Sequence, residues 1–430
     1  MKRSIGITRR EALGAATAGL AIRASAASPN DQLGVSIIGV GGMGHGHVER
    51  VLTRDDVRIV SLCDVDQANL ERAGQTVNRA RGATPVQLGD FRRVLEDDSV
   101  DAVIIATPHH WHALMAVLAM QAGKDVYVEK PASHVFREGR LLVDAAKKYG
   151  RIVQHGTQMR SSEVTKKADE LLKQGIIGEV KTTKAWNCQM HVHEQTKPDA
   201  PVPPGVNYDL WVGPAPFDGV FNPNHYNRHW NWYRRFGNGD IGGDGPHDID
   251  LARWGLGVET HPIRITAHGS HIALEGEREF PDNMMVAYQY ADDKVLLYED
   301  RGWTPYGMHG FDSGNAFYGT EGYMIFSRRG YFQVYLGKDE EKGPGMSEGP
   351  RGHPEHMYNF LDSVRSREQP VANAEIAHLS CGLVHLGEIA YRVGRVLDFD
   401  PEQEQFIDDP EADKLLTKEY REPWVIPDPV

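Results

Sequence analysis

Between Val35 and His155 the chain alternates short β-branched runs with segments whose apolar positions recur at helical spacing. Runs at 35–40, 58–63, 102–106, 126–128 and 152–153 predict strands, and 113–122 and 138–148 predict helices. Strand–helix–strand repetition of this kind specifies a parallel, doubly wound sheet with right-handed crossovers. After His155 the texture changes. Stretches at 180–185, 263–268, 284–290, 294–298 and 331–335 alternate apolar with polar residues, which predicts an antiparallel or mixed sheet with one face covered and the other open. The interval 197–245, rich in Pro, Asn, Trp and Gly, is too long for a simple connection and reads as functional. A helical pair at 354–366 and 374–395 precedes a tail rich in Pro and Asp, expected along the surface or against a neighbouring subunit. The expected fold class is α/β: an N-terminal Rossmann doubly wound parallel sheet at 33–155, a C-terminal α+β domain on a large open, mostly antiparallel sheet at 156–398, and a tail at 399–430.

Composition narrows the partners. The 430 residues are 40% hydrophobic and 25% charged, an ordinary balance for a globular protein of two domains. The net charge of −13 argues against a nucleic-acid binder, whose affinity comes from clustered Lys and Arg. Residues 1–26 stand apart: Lys2, Arg3, Arg9 and Arg10 precede an apolar run at 12–22, and Ala24-Ser25-Ala26 closes the segment. This reads as a cleavable export signal, its apolar run being well short of the ~20 residues a bilayer span requires. Thr8-Arg9-Arg10-Glu11-Ala12-Leu13 resembles a twin-arginine motif, which implies the twin-arginine translocation machinery as a partner, folded export and a periplasmic location, with no membrane span in the mature form. The segment carries five positive charges and one negative, so the mature chain is more acidic, at −17. Cys63, Cys188 and Cys381 are widely spaced with no C-x-x-C pair, so they read as buried thiols, one disulfide among them being open but not assigned, and no metal site is assigned to them.

Gly39-Val40-Gly41-Gly42-Met43-Gly44 satisfies G-x-G-x-x-G between an expected strand and an expected helix. In that setting the backbone can approach a pyrophosphate at a helix N-terminus, where unpaired amides favour an anion. Asp64, 20 residues after Gly44 and at the end of the second strand, suits the ribose hydroxyls of an adenosine. A carboxylate there repels a 2′-phosphate, so NAD is favoured over NADP.

The stretch Asp101-Ala102-Val103-Ile104-Ile105-Ala106-Thr107-Pro108, then His109-His110-Trp111-His112, Gly123-Lys124 and Val128-Glu129-Lys130-Pro131, resembles the Gfo/Idh/MocA family of glucose-fructose oxidoreductase and inositol dehydrogenase. The resemblance covers the nucleotide domain and, more loosely, 237–254. It implies a two-domain, NAD(P)-dependent enzyme that acts as a dimer or tetramer. Thr107, Pro108 and His112 would lie beside the cofactor, and Lys130 beside the nicotinamide and the reacting hydroxyl, with Glu129 orienting Lys130. A cation there would stabilise negative charge on the substrate oxygen.

In Gly242-Gly243-Asp244-Gly245-Pro246-His247-Asp248-Ile249-Asp250, Pro246 suits the first turn of a helix and puts His247 at its exposed start. His247 is the candidate general base. The resemblance implies an Asp four positions earlier, where this chain has Gly243. Asp244 either takes that role or caps the helix, and Asp240 is a second candidate. Upstream, Arg228, Trp230 and Tyr233 sit in an aromatic and basic stretch suited to a sugar ring, or to anchoring a long loop. His191 and His193 would share one strand face, as a two-His metal pair does, but no obvious carboxylate lies nearby in sequence and no metal site is assigned.

Three functions fit these residues. The first is an oxidoreductase acting on a hydroxyl of a sugar, cyclitol or glycoside, with tightly bound NAD recycled in each cycle. The second is a redox-neutral glycosidase or lyase that oxidises, eliminates and re-reduces. The third is a non-catalytic sugar-binding protein on the same fold.

Overall fold

The computed structural model describes residues 32–191, 196–226, 229–274 and 276–430. The export segment at 1–26, His193, Asn227 and Arg228 lie outside the described residues.

The first sheet is built from β1 (Leu33–Ile38), β2 (Val57–Cys63), β3 (Val86–Leu88), β4 (Ala102–Ile105), β5 (Asp125–Val128) and β6 (Val153–His155), in the order β3-β2-β1-β4-β5-β6. All its pairs are parallel. β1, β4 and β5 are buried throughout, as expected of strands covered on both faces. The covering helices include α1 (Gly42–Val51), α2 (Gln67–Arg81), the short α3 (Arg92–Leu95), α4 (His109–Gln121) and α5 (Phe136–Tyr149). The strand order reverses between β1 and β4, so a crevice opens beyond their carboxyl ends. Gly39, Thr107 and Lys130 follow β1, β4 and β5 and all arrive at that edge.

Helix α4 begins at His109, four residues before the sequence pattern predicts, because extended Pro108 ends the preceding loop there. Its first-turn histidines hid it from periodicity: His109, His110 and His112 are buried, each with its own polar partners, so the helix is interior on nearly every side.

The second domain opens with α6 (Glu163–Lys173) and β7 (Val180–Asn187), followed by the short helices α7 (Tyr208–Val212) and α8 (Gly239–Gly243), and by α9 (Gly245–Leu256). Strands β8 (Arg264–Ser270), β9 (Asn283–Gln289), β10 (Val295–Arg301), β11 (Ser313–Gly319), β12 (Gly322–Ser327), β13 (Tyr331–Leu336) and β14 (Glu341–Met346) follow. The chain then forms α10 (His353–Ser366), α11 (Ala374–Val393), β15 (Leu397–Asp400), β16 (Gln405–Phe406) and α12 (Pro410–Asp413). The sheet runs β14-β13-β12-β11-β7-β10-β9-β8-β15-β16, antiparallel except where β10 pairs with β7. Helices α9 and α11 cover one face, packing their apolar residues on Ile265, Val286, Tyr288 and Phe317.

Two late segments return to the nucleotide domain. Met357, Phe360 and Leu361 of α10 join Val48, Ile104 and Tyr127 in one core. The tail was expected along the surface or on a neighbouring subunit, but it folds back on its own chain. Trp424 and Ile426 enter the core beside Phe91 and Trp111, and Lys418 pairs with buried Glu138 at 2.7 Å. The apolar area gained by an indole in that slot decides its course. Trp424 is 8% exposed, so Trp424→Ala should cost about 3 kcal/mol. Chemical denaturation of the two proteins checks this.

Candidate functional site

The glycine turn follows β1 and opens α1. Gly39 has φ +81°, and a Cβ there would come within 2.7 Å of the Ala106 carbonyl, so only glycine lets β1 and β4 turn so closely. A Cβ at Gly44 would overlap the Gly39 carbonyl. Gly44 therefore serves helix–strand packing and, unlike Gly39, Gly41, Gly42 and Met43, does not line the cleft. Gly42 faces open space, where a Cβ would meet nothing within 4 Å, and no side chain caps α1. The first-turn amides are thus left free for an anion. Asp64 accepts the Val40 amide at 2.8 Å and the Asp66 amide at 2.9 Å, which fixes its carboxylate at the cleft. These features fit a dinucleotide: glycines where a side chain would fill the cradle, and a held acid on the lining of the same crevice.

The cleft, of about 880 Å³, runs from this turn past Thr107, Pro108 and His112 to Lys130 and on to Gly243 and Asp244. Lys130 is half-buried, and its Nζ donates to the Gly243 carbonyl across the domain junction. Glu129 does not orient this ammonium as expected. Successive residues leaving a strand point to opposite sides, so its carboxylate turns inward. There Oε1 lies 2.9 Å from His47 Nε2 and accepts from Gln158 at 2.8 Å. Oε2 is 3.3 Å from the Lys130 backbone amide, so Glu129 steadies the main chain rather than the charge. Despite burial, His47 and then Lys130 hold Glu129 well below the usual carboxylate range.

The α8–α9 junction supplies the opposite wall. Asp244 lies at the start of α9 but makes no capping bond; its side chain accepts from Gln189 and from Arg328 Nη2 at 3.1 Å. Burial opposes its charge, while Arg328 and Lys130 keep Asp244 ionised, well below its ordinary value. Arg328 leaves the end of β12, is nine-tenths buried and also lies 3.6 Å from Asp248. Asp248 is fully buried, which pushes it up to about 7. Asp250 instead forms a buried pair with Arg160 at 2.7 Å and accepts from Ser380.

His247 stands at the start of α9 but is not exposed as its position in the sequence suggested. It is 7% exposed, because α9 is packed between the second sheet and α11, and its Nδ1 has no hydrogen-bond partner among the described residues. Burial first, then Arg328 and Lys130, push His247 well below its ordinary value, so it is neutral.

The 197–245 interval folds around an aromatic core of Tyr208, Trp211, Phe221, Trp232, Tyr233 and Phe236. Tyr233 belongs to that core rather than to the cleft: it is 4% exposed, and the tight turn at 230–232 points it inward. Trp230 does line the cleft and meets the His109 ring edge-on, with centroids 4.7 Å apart. His191, left without an obvious carboxylate in the sequence, has one in space. Its Nε2 lies 2.7 and 2.9 Å from the two oxygens of Asp240, and both residues line the cleft. Sequence reasoning missed this pair, Gln189 and Arg328, because the partners are 49 to 84 residues apart.

A parallel nucleotide sheet, a glycine cradle and a lysine at the crevice joined to an open-sheet domain define a two-domain dehydrogenase-type protein. The chain belongs to the Gfo/Idh/MocA oxidoreductase family: residues 33–157 match its NAD-binding Rossmann fold, and 168–426 match its C-terminal alpha/beta domain. It is 32% identical over 196 residues to glycosyl hydrolase family 109 protein 1 of Shewanella sp. strain MR-4, an alignment spanning 40% of this chain and 43% of that protein. The chain therefore matches less than half the length of that relative. Among solved structures, levoglucosan dehydrogenase in complex with NADH and levoglucosan is 19% identical, with TM-score 0.67 over 85% of this chain and 99% of that one. The WlbA dehydrogenase from Bordetella pertussis, in complex with NADH and UDP-GlcNAcA, is 17% identical, with TM-score 0.64 over 86% and 99%. These likenesses share the fold.

Buried neutral imidazoles carry a pH consequence. Burial holds His109, His110, His112 and His247 below 6.5, with His110 at about 3. The unfolded chain binds protons that the folded chain refuses, so their contribution is full above pH 6.5 and is lost as the pH falls below it. Thermal midpoints measured from pH 7.5 to 5 should fall steadily.

Proposed function

We propose that this chain is an exported NAD-dependent oxidoreductase acting on a hydroxyl of a sugar, cyclitol or glycoside, with NAD retained and recycled within each cycle. One observation carries the reading: the Lys130 ammonium and the Asp244 carboxylate line the cleft where it reaches the second domain, beside Trp230, with His247 buried behind that wall and within the field of both charges. Bound NAD supplies a site that takes and returns a hydride. The chain's own residues do the rest. The glycine turn, the first turn of α1 and Asp64 would hold the dinucleotide, with Thr107, Pro108 and His112 along its inner end. Lys130 stabilises negative charge on the substrate oxygen, and neutral His247 accepts the hydroxyl proton. Asp244, kept ionised by Arg328, favours the imidazolium that results. Trp230 offers a face for ring C–H groups.

The export reading rests on residues 1–26 and on the need to load a cofactor before leaving the cytoplasm. Among the described residues no helix is long and apolar enough to cross a membrane. Retained cofactor also suits a compartment without a free NAD pool.

A second reading, redox-neutral cleavage of a glycoside, is favoured by the His191–Asp240 pair. It gives the cleft a second proton-handling group beside the His247 set, as protonation of a leaving group requires. The partial likeness to glycosyl hydrolase family 109 points the same way.

Purified protein, denatured and extracted, should release nicotinamide dinucleotide identifiable by mass; its absence under saturating NAD would defeat both readings. With candidate sugars, accumulation of reduced nicotinamide supports net oxidation, whereas glycoside cleavage without it supports the second reading. Lys130→Ala should lower kcat by at least ~10²-fold with cofactor binding retained. Because His247 titrates well below 6.5, kcat/KM should stay flat from neutrality down through pH 6.5, and an acid limb at 6.5 would show that another group is the base.

A further inference from the structure

The second domain holds a cluster of ligand-type side chains away from the cleft. His261 lies between α9 and β8, His378 in the second turn of α11, and Glu404 in the turn joining β15 to β16. They are 117 and 26 residues apart along the chain, yet three of their atoms converge. His261 Nε2 is 3.2 Å from His378 Nε2, His378 Nε2 is 2.8 Å from Glu404 Oε1, and His261 Nε2 is 3.5 Å from the same oxygen.

Hydrogen bonding alone fits these contacts poorly. If both Nε2 atoms carry a proton toward Glu404, two N–H groups crowd across 3.2 Å; if His261 Nε2 is bare, its proton sits on Nδ1, which is buried with no hydrogen-bond partner. That tautomer leaves a lone pair aimed into the cluster from a residue only 2% exposed. The edges of the triangle match what three ligands of a tetrahedral zinc ion present, about 3.3 Å apart when each bond is about 2.0–2.1 Å. A point about 2 Å from all three atoms lies just out of their plane.

The surroundings are shaped to hold the rings in place. A Cβ at Gly139 of α5 would overlap His378 Nδ1, and one at Gly382 of α11 would sit 2.6 Å from His261 Cε1. Each imidazole is thus seated against a glycine. Phe136 and Phe399 wall the cluster, with the Phe136 centroid 5.0 Å from His261 and 5.4 Å from Phe399. Arg140 grips Glu404 from outside, Nη2 to Oε1 at 2.6 Å and Nε to Oε2 at 3.1 Å, and is itself paired with Glu375. That grip fixes the carboxylate's direction, and Glu375 offsets the cation beside it, as outer groups do at metal centres.

We propose that His261, His378 and Glu404 bind one zinc-class divalent ion. It would tie α11, the β15–β16 turn and the strand entry at His261 together, next to α5 of the nucleotide domain. Two imidazoles and one carboxylate suit zinc, with water completing the coordination.

The test uses the full chain without a histidine tag, expressed with zinc supplied and freed of loose metal by gel filtration. Metal analysis should find about one zinc per chain in the wild type and less than about a tenth in His378→Gln and Glu404→Gln. Chelator should lower the wild-type thermal midpoint and leave the variants' midpoints unmoved. Should the variants fail to fold, Co2+ added to chelator-stripped wild type gives the second readout: intense visible bands of a tetrahedral N/O site support the proposal. His191→Ala should keep its zinc. Wild type that neither contains zinc nor takes up Co2+ would overturn the site, as would loss of the metal in His191→Ala with retention in His378→Gln.

Discussion

The contact between the Lys130 ammonium and the Gly243 carbonyl is the constraint around which the molecule is arranged. One group leaves the end of β5 in the nucleotide sheet, and the other leaves the α8–α9 junction of the second domain. A half-buried cation needs acceptors, and a carbonyl at the end of a short helix has a lone pair to give. The bond joins the two walls of the cleft where the crevice beyond the glycine cradle meets the start of α9.

Charge inside the cleft is balanced locally. Lys130 and Arg328 face Asp244, Arg328 also lies beside Asp248, and His247 stays neutral through burial. Removing one member of such a set leaves another buried and uncompensated, which costs more than the pair itself contributes. The group therefore works as a unit: Arg328 matters to the site without being near the cradle, and its effect arrives through the state of Asp244.

The parallel sheet, the glycine turn and the lysine after β5 were legible in the sequence because their signals are local. Apolar runs, φ-permissive glycines and Val128-Glu129-Lys130-Pro131 each lie within a few residues. The direction of Glu129, the burial of His247 and the removal of Tyr233 from the cleft were not legible, since each depends on what packs from elsewhere. Gly44 sits between these cases: its identity was readable, but its task, close packing against Gly39, required the backbone of β1 in place. His191 with Asp240 and the His261, His378 and Glu404 cluster lacked any spacing signal. Strand β11 was missed because Gly and polar residues interrupt its alternation, and β12 because Tyr323 to Phe326 run together without alternating.

Helix α10 and the tail give the nucleotide core a particular history during synthesis. Its sheet is complete in sequence by His155, yet Val48, Ile104 and Tyr127 stay uncovered until residues 353–366 have emerged, and Phe91 and Trp111 until 424. The core of this first-made domain therefore closes only at the end of translation, and the nascent chain must pass through most of its length with apolar surface bare. Apolar surface exposed in that way is prone to aggregation until it is covered. The chain also resists being cut into modules: a swap or truncation at the apparent domain boundary removes part of the core of the domain it was meant to preserve.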